Sequence, residues 1–492
     1  MSKEISDKLT AKDLEFPIFT NSHTAMNLII YDSDGNSKLI EVPLYQVIQA
    51  GVVSNSSMLF LGDTRCGKSL AMMDINRNYF GGDADNGGHS NWNLARNNFT
   101  ANGYFMDTDQ SKIGPGKENM LSESKVPNKK RIKALCNNVD EINLAIPEVQ
   151  VEFFGQAEGR HNDIPLGEEG YSLFLSSCNI NKNNGDFAGV SQINRALLNR
   201  IPITIDFFTF KESDEDKNEM GLKKLTGRLG LAPIRDISEK ILSAYKEISE
   251  GAFNFNPWIS AYIRILSSGL DYCHNDSDKL KKSVWPGKCG ACRFPKKDLC
   301  SLVKASATGT AESMKRFAHG IEYIVRLNHG NEVNLDPLSL VLECFKFTTY
   351  HGNLNKSLIS SQYFGEDQDL MTDVIKKLKE EIEPLKPYID SAIFSAQNGN
   401  QSTRFICISD KKGKESIEVY SKELESKLKS LKEQRDFTYK IISPFEEQVS
   451  GKTFEESHGF RMNWFNKYLD FVSNYYQKMQ SKGDAQIFNG ER

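Results

Sequence analysis

The sequence predicts an α/β fold with a parallel sheet, followed by a helical region, and three observations support this. From about Val52 to Phe210, apolar runs suited to strands alternate with helical stretches, which is typical of a parallel sheet. The segment "GDTRCGKS", residues 62–69, joins one such strand to one such helix. From Leu231 onward apolar residues recur at helical spacing, so this part of the chain is predicted to be mainly helical.

The composition limits the classes of protein to which the chain can belong. With 492 residues, 39% of them hydrophobic, the chain can build about two to four domains with substantial cores. It contains no run of about 18 apolar residues, and its charged first residues do not resemble a signal peptide. Nine cysteines in so long a chain favour a cytoplasmic location over a secreted disulfide scaffold. The net charge of −4 gives no overall sign of nucleic-acid binding.

Changes of composition along the chain indicate four regions. They are an N-terminal segment at 1–48, an α/β core at 49–215, a helical region at 216–355 with a cysteine-rich insertion at about 258–302, and a C-terminal region at 356–492. The N-terminal segment is predicted to contain strands broken by a hairpin turn at "YDSDGNS". The C-terminal region is predicted to be helical, because apolar residues from Tyr420 to Leu431 form a stripe typical of an amphipathic or coiled-coil helix.

The segment from Gly62 to Ser69 fits the phosphate-loop pattern G-x-x-x-x-G-K-[ST] without a gap. Its glycines let backbone N–H groups close around a phosphate. Lys68 can neutralise the β- and γ-phosphates, Ser69 can bind Mg²⁺, and the following helix directs its positive end at the anion. A strand-like run precedes the segment and a helix-like run follows it, which argues against a chance match. The predicted nucleotide-binding residues are Gly62, Asp63, Thr64, Arg65, Cys66, Gly67, Lys68, Ser69, Leu70 and Asp140.

A phosphate loop of this kind needs acidic residues at the end of a second strand, and "LCNNVDEI" supplies them. Asp140 is predicted to share a Mg²⁺ ion with Ser69, and Glu141 to polarise the attacking water. The alternative is an ordinary Asp–Glu pair on the surface. Asn137 and Asn138 interrupt the apolar run, and amides buried there would need hydrogen-bond partners.

Two further polar side chains follow at the ends of predicted elements. "YSLFLSSCNIN" predicts a strand that ends near Asn179, whose amide can position water or contact the γ-phosphate. "SQINRALLNRIPITIDFF" predicts a short helix with Arg195, then Arg200, and then a strand. Either arginine can equally be a surface charge. The order of loop, Asp–Glu pair, asparagine and arginine along the chain is more informative than any one of them.

These motifs resemble those of the AAA+ ATPases, and within them the MoxR-like group. "VDEINLAIPEVQ", residues 139–150, is similar to the group's Asp-Glu-Ile-Asn-Arg-Ala segment and its glutamine, with Leu144 in place of the arginine. "SSCNI" keeps the asparagine of the group's Ala-Thr-x-Asn-Pro strand end, as Asn179, and lacks its proline. "ALLNRI", residues 196–201, is similar to "ALLDRF". The resemblance makes Arg200 the candidate arginine finger.

The resemblance covers roughly Val52 to Phe210 and extends with less similarity to His351. It implies an αβα ATPase core, a helical lid, binding of ATP and Mg²⁺, and a ring that is usually a hexamer. It also implies a chaperone-like role, in which the ring remodels a protein client or adaptor. The Asn- and Gly-rich segment from Asp83 to Gly103 is the candidate for the core insert of this group, which would face the ring pore.

The lid sequence departs from the family. The family's lid helix opens with a sensor-two arginine, whereas "GTAESMKRF" has Ser313 at the corresponding place. Lys315 and Arg316 follow at once and are the candidates to substitute for it. The departure concerns the rate of hydrolysis and its coupling to the lid, and it leaves the prediction of nucleotide binding unchanged.

Four of the nine cysteines, Cys273, Cys289, Cys292 and Cys300, fall within 28 residues. Four thiolates at this spacing can hold a tetrahedral Zn²⁺ ion or a [4Fe–4S] cluster, and the sequence leaves both open. The alternative is a loop whose cysteines are free. His274 could replace a thiolate as a ligand, but it is more simply explained as a residue next to the site. Lysines, Arg293 and aromatic residues surround the thiols, as in patches that bind nucleic acid, although these charges can also offset the thiolates.

Three functions therefore stand at this point. The first is an ATP-driven ring that remodels a protein partner, and the second is a nucleic-acid translocase or helicase-like motor whose cysteine module contacts DNA. The third is a nucleotide-gated scaffold with little turnover. Salt-dependent DNA binding would favour the second, and binding without turnover the third.

Overall fold

The computed structural model describes the central core, most of the helical region and part of the C-terminal region. The described residues are 8–15, 23–82 except 33 and 64–65, 91–93, 133–179 except 145–146 and 162–163, 193–210, 218, 235–270 except 254–256, 302–303, 308–348, 354–383, 386, 389–390, 393, 404–410, 415–420, 437–441 and 474. The strands are β1 (Thr24–Tyr31), β2 (Ser37–Pro43), β3 (Met58–Gly62), β4 (Asn91–Asn93), β5 (Cys136–Asp140), β6 (Arg160–His161), β7 (Ile164–Pro165), β8 (Leu173–Asn179), β9 (Ile203–Asp206), β10 (Asn334–Leu335), β11 (Arg404–Asp410), β12 (Glu415–Tyr420) and β13 (Phe437–Ile441). The α-helices are α1 (Leu44–Val53), α2 (Lys68–Tyr79), α3 (Pro147–Ala157), α4 (Arg195–Leu198), α5 (Ser238–Phe253), α6 (Pro257–Leu270), α7 (Thr308–His329), α8 (Pro337–Thr348), α9 (Lys356–Gln362) and α10 (Asp367–Ile382).

A five-stranded sheet in the order β4–β5–β8–β3–β9 forms the centre of the core. Every neighbouring pair in it is parallel, which confirms the predicted α/β class. All residues of β3 and β9 are buried, as is typical of a parallel sheet covered on both faces. Because the strands run the same way, their C-terminal ends lie at one edge of the sheet, with the end of β8 between those of β3 and β5.

The N-terminal segment forms the predicted hairpin from β1 and β2, which pair antiparallel. Asp32 closes the turn, because its carboxylate accepts hydrogen bonds from the backbone N–H groups of Asp34 and Asn36 at 3.0 and 2.8 Å. Gly35 has φ +79°, a left-handed conformation that glycine adopts without strain. β1 also pairs with β10, so the hairpin is joined to the helical region.

Helices α5 to α10 confirm the helical region that the apolar spacing predicts. The predicted face of α7, with Phe317, Ile321 and Ile324, is fully buried. This helix packs against α1, α5, α6 and α8. Gly320 permits its close approach to α1, since a Cβ atom there would lie 2.5 Å from the carbonyl oxygen of Ala50. The helical region is therefore packed directly on the helix that leads into β3.

The prediction of a helical C-terminal region is wrong for much of its described part. After α9 and α10, three strands form an antiparallel sheet in the order β12–β11–β13. Tyr420 is the last residue of β12 and does not open a helix. The cause is visible in the sequence, because "RFICISD" contains a short run of four apolar residues and "ESIEVY" contains Ile417, Val419 and Tyr420, residue types that are common in strands. Residues 421–431 of the predicted stripe lie outside the described part of the chain.

Three residues of the predicted insert at Asp83–Gly103 differ from the prediction of a loop or hairpin. Asn91–Asn93 form β4 and pair in parallel with β5 at the edge of the central sheet, so these three residues belong to the sheet. Trp92 stands between two asparagines, so the three residues form no apolar run that would predict a strand. The rest of the segment and the whole cysteine cluster at 273–300 lie outside the described residues. None of the helices that the structure describes is long and apolar enough to cross a membrane.

Candidate functional site

The predicted phosphate loop lies between β3 and α2, which confirms its strand–loop–helix context. Gly67 has φ +91° and immediately precedes α2, so the chain turns there through a conformation that favours glycine. Gly62 ends β3, and a Cβ atom on it would lie 2.6 Å from Sγ of Cys66 and 3.0 Å from Cβ of Phe207. Any larger residue at this position would require Cys66 and Phe207 to shift. Asp63 is exposed at the loop, whereas Thr64 and Arg65 lie outside the described residues.

Lys68 is the first residue of α2, and its side chain is buried inside the loop with 4% exposure. Its Nζ donates to the carbonyl oxygen of Gly62 at 3.1 Å and to that of Asp63. Sγ of Cys66 lies 3.4 Å away. Two of these partners are backbone carbonyl oxygens, which carry no net charge. The loop backbone thus holds the ammonium group in place, and its positive charge can attract an anion bound at the start of α2.

The acidic residue at the end of β5 meets the hydroxyl at the start of α2. Oγ of Ser69 donates to Oδ1 of Asp140 at 2.9 Å. Asn138, one of the amides within β5, donates to the carbonyl oxygen of Met72 at 3.3 Å, so the interrupting polar residue also fastens β5 to α2. A hydroxyl and a carboxylate oxygen in contact are the ligand types that Mg²⁺ takes in proteins. The residues present therefore fit a magnesium ion.

Glu141 and Asn179 contact each other directly. Nδ2 of Asn179 donates to Oε1 of Glu141 at 2.8 Å. Asn143 holds Asn179 in turn, because its Nδ2 donates to the Asn179 carbonyl oxygen at 2.9 Å. The backbone of Glu141 has φ +54°, a left-handed conformation that is uncommon for a residue other than glycine. A half-buried carboxylate is thus fixed beside an amide at the end of β8.

The sheet order explains why these residues converge. Gly62 and Asn179 are register partners in the parallel pair of β3 and β8, and Asp140 ends the next strand, β5. The chain leaves β3 for the β4 edge, returns through β5 and β8, and then passes to β9 on the other side of β3. Ligands of open α/β sheets bind at such a reversal, outside the carboxyl ends of the strands.

Arg200 is placed differently from these residues. Its Nε donates to Oε1 of Glu158 at 2.5 Å, and its guanidinium carbon lies 4.7 Å from the centre of the Phe154 ring. Burial raises the pKa of Glu158, but hydrogen bonds and charge from Arg160 and Arg200 outweigh this and lower it. In the single chain, Arg200 is therefore paired with a nearby carboxylate, which agrees with the alternative that it is a surface charge. Arg195 lies in α4.

The lid candidates lie in the first half of α7. Ser313 and Lys315 are half-buried and Arg316 is exposed. Burial lowers the pKa of Lys315, and the charge of Glu312 acts against this shift.

Two residues of the site were not predicted from the sequence. Ser177 donates to Oδ1 of Asp140 and accepts from the N–H of Glu141 at 2.8 Å, and Asn143 holds Asn179. Ser177 stands in a run of small polar residues at a strand end, at the place of the threonine in the Ala-Thr-x-Asn-Pro pattern. Asn143 stands in the segment that resembles the MoxR-like group. Within the part of the chain that the structure describes, no group of three or more His, Cys, Asp or Glu residues could hold a metal ion.

No protein-family model matches the chain, and no curated protein matches it. Among solved structures, the chain is similar to that of a "putative ATPase" from Cytophaga hutchinsonii ATCC 33406. The two sequences are 12% identical, the match covers 68% of this chain and 88% of that one, and the TM-score is 0.43. A likeness this distant does not bear on the chemistry of the site, which depends on the geometry of its residues alone.

Proposed function

We propose that this protein is an ATPase that hydrolyses ATP at the C-terminal ends of β3, β5 and β8. One observation carries the proposal: a single hydrogen-bonded network joins Ser69, Asp140, Glu141 and Asn179, and the buried Lys68 lies at its side. A chance match to a phosphate-loop pattern would not be expected to bring an acidic pair from a strand more than 70 residues away onto the loop serine.

Each residue has a role in this reaction that follows from its position. The loop N–H groups and the start of α2 bind the phosphates, and Lys68 supplies a positive charge to the β- and γ-oxygens. Ser69 and Asp140 would hold a Mg²⁺ ion, which neutralises charge on the phosphates when bound. Glu141 accepts a proton from the attacking water. Asn179 holds the Glu141 carboxylate in place through its amide.

The finer proposal is a MoxR-like AAA+ ATPase in the cytoplasm that uses hydrolysis to remodel a protein client. Phosphate release from Mg·ATP should be measured alone and with unfolded protein, single-stranded DNA or RNA. Stimulation by unfolded protein supports the remodelling role. Stimulation by nucleic acid would instead favour a translocase, and ATP binding without phosphate release would favour a nucleotide-gated scaffold.

The proposal includes assembly into a ring, most simply a hexamer, in which Arg200 acts on a neighbouring subunit. Two features of the α3 surface support it. Val151 is 51% exposed, and Val151, Phe154 and Glu158 share one helix face by their spacing. Arg200 rests on this face against Phe154 and Glu158. Since an exposed ion pair contributes only about 0–1 kcal/mol, a neighbour's nucleotide can compete for the guanidinium.

Arg200→Ala should bind ATP and assemble, yet hydrolyse roughly 10³-fold more slowly, because a trans arginine stabilises the transition state by about this factor. Mixing it with Lys68→Ala subunits should restore activity that neither variant has alone. In the mixed ring, the intact arginine of one subunit serves the intact loop of the other. Phosphate release from mixtures of defined ratio is the measurement, with native mass spectrometry to establish that mixed rings form.

Two controls isolate the arginine. Arg160→Ala removes the other partner of Glu158 and should leave hydrolysis unchanged. Mixing Arg200→Ala with subunits that carry both Lys68→Ala and Arg200→Ala should restore nothing, because no intact Arg200 is present. Mixed rings of the two single variants that remain inactive would contradict a trans role for Arg200 and would direct attention to Arg195.

A metal centre at Cys273, Cys289, Cys292 and Cys300 remains part of the proposal, on the spacing alone. Anaerobically purified protein should contain either one zinc ion, without colour, or an iron–sulfur cluster, with a broad visible absorption band. Cys292→Ser should lose the metal and destabilise the insertion, since metal binding and local folding are one equilibrium. Protein that contains neither metal would contradict the prediction.

A further inference from the structure

Ser177 is the third residue from the end of β8. Its side chain is fully buried between the two acidic residues of the site. Its Oγ donates to Oδ1 of Asp140. The same oxygen accepts the backbone N–H of Glu141 at 2.8 Å. A hydroxyl has one hydrogen to donate and two lone pairs, so Ser177 contacts both acidic residues with one group.

We infer that Ser177 is a positioning residue for ATP hydrolysis, and this inference rests on the proposed function. It sets the orientation of the Asp140 carboxylate and the backbone of Glu141 together. Ser177 touches neither nucleotide nor water in this role and acts through the two acidic residues.

The two contacts have different consequences. Asp140 Oδ1 accepts from two hydroxyls, those of Ser69 and Ser177. Ser69 is itself one of the two residues that would hold Mg²⁺, so Ser177 is the donor that remains to orient the carboxylate when Ser69 turns to the ion. Removing a group that orients a metal ligand in this way typically lowers metal affinity or activity by about 10–100-fold.

The second contact supports the unusual backbone of Glu141. Its φ of +54° is uncommon for a residue with a side chain, and the bond from its N–H to Ser177 holds the peptide in that orientation. Without this bond the peptide is free to relax toward commoner conformations, which would move the carboxylate away from Asn179. Loss of the hydroxyl should therefore weaken Mg²⁺ binding and proton transfer together, while Lys68 and the loop backbone still bind phosphate.

Ser176 provides a matched control. It precedes Ser177 in the same strand and is also fully buried, but its Oγ points to β3, where it donates to the carbonyl oxygen of Met58 at 3.4 Å. Ser176→Ala removes one buried hydroxyl without touching either acidic residue. Ser177→Thr keeps the hydroxyl and tests whether the oxygen or merely the packing matters.

The test combines three readouts on the full chain. Mn²⁺ affinity is measured by electron paramagnetic resonance with a non-hydrolysable ATP analogue, nucleotide affinity is measured in EDTA, and turnover is measured as phosphate release. Ser177→Ala should weaken Mn²⁺ binding about 10-fold or more and reduce kcat by a similar or larger factor. Its metal-free nucleotide affinity should match that of the parent, Ser177→Thr should recover most of both losses, and Ser176→Ala should show neither.

Two failures are distinguishable. A parent protein that binds ATP and releases no phosphate would refute the proposed function, and the Mn²⁺ arm would still decide the role of Ser177. If Ser177→Ala binds Mn²⁺ as tightly as Ser176→Ala does, or Ser177→Thr is as impaired as Ser177→Ala, the positioning role is overturned.

Discussion

Replacing Lys68 with alanine is expected to raise the dissociation constant for ATP about 100-fold or more, because each hydrogen bond to a charged group contributes roughly 1.5–3 kcal/mol. Lys68 is buried in the loop, and its Nζ is held by the carbonyl oxygens of Gly62 and Asp63. The alanine side chain removes the ammonium group from these carbonyl oxygens and the counter-charge from the phosphates. Isothermal titration with a non-hydrolysable ATP analogue measures the loss.

The matched control is Lys246→Ala. Lys246 is exposed and pairs with Glu169 at 2.7 Å on the surface, so its loss should leave nucleotide affinity within about twofold of the parent, in line with the small contribution of exposed pairs. If Lys68→Ala binds the analogue as Lys246→Ala does, the assignment of the phosphate loop is wrong.

Glu141→Gln is expected to retain nucleotide binding and to lose hydrolysis by about 10²–10⁴-fold, the range that general bases contribute. A glutamine side chain can still accept the hydrogen bond from Asn179, which is 2.8 Å long in the parent, so the local structure should persist. Its amide cannot take a proton from water at neutral pH. Pre-steady-state phosphate release, together with titration of the analogue, separates chemistry from binding.

Glu169→Gln is the control for this change. Glu169 is exposed, and its φ of +53° nearly equals the +54° of Glu141. In both variants, the glutamate that is replaced has a left-handed backbone conformation. Only the variant at Glu141 should lose turnover. Parent-like hydrolysis by Glu141→Gln would mean that another group activates the water.

Much of the fold and the site could be predicted from sequence, because the signals are local. The phosphate loop depends on two glycines, a lysine and a serine at fixed spacing, and the apolar runs on either side define β3 and α2. Asp140 and Glu141 could be found because they end an apolar run, and parallel strands bring their ends to one edge. The helical region followed from apolar residues at helical spacing, as in α7.

What could not be predicted depends on contacts between distant elements. The strand order places β8 between β3 and β5, and this alone brings Ser177 to Asp140. The pairing of Arg200 with Glu158 links residues 42 positions apart. Strand β4 has only three residues, Asn-Trp-Asn, which is too few to form an apolar run. The strand-like residues of β11 and β12 lie next to a stripe with helical spacing that begins at Tyr420, so the local pattern does not reveal the sheet.

Single-turnover conversion of bound ATP, with enzyme in excess, tests most directly whether Lys68, Ser69, Asp140, Glu141 and Asn179 form one hydrolytic site. The parent chain should convert bound ATP to ADP and phosphate in a reaction that requires Mg²⁺. Glu141→Gln should hold the ATP intact, and Lys68→Ala should hold little of it. ATP that remains intact on the parent chain with Mg²⁺ present, or equal conversion by the parent and Glu141→Gln, would contradict this assignment.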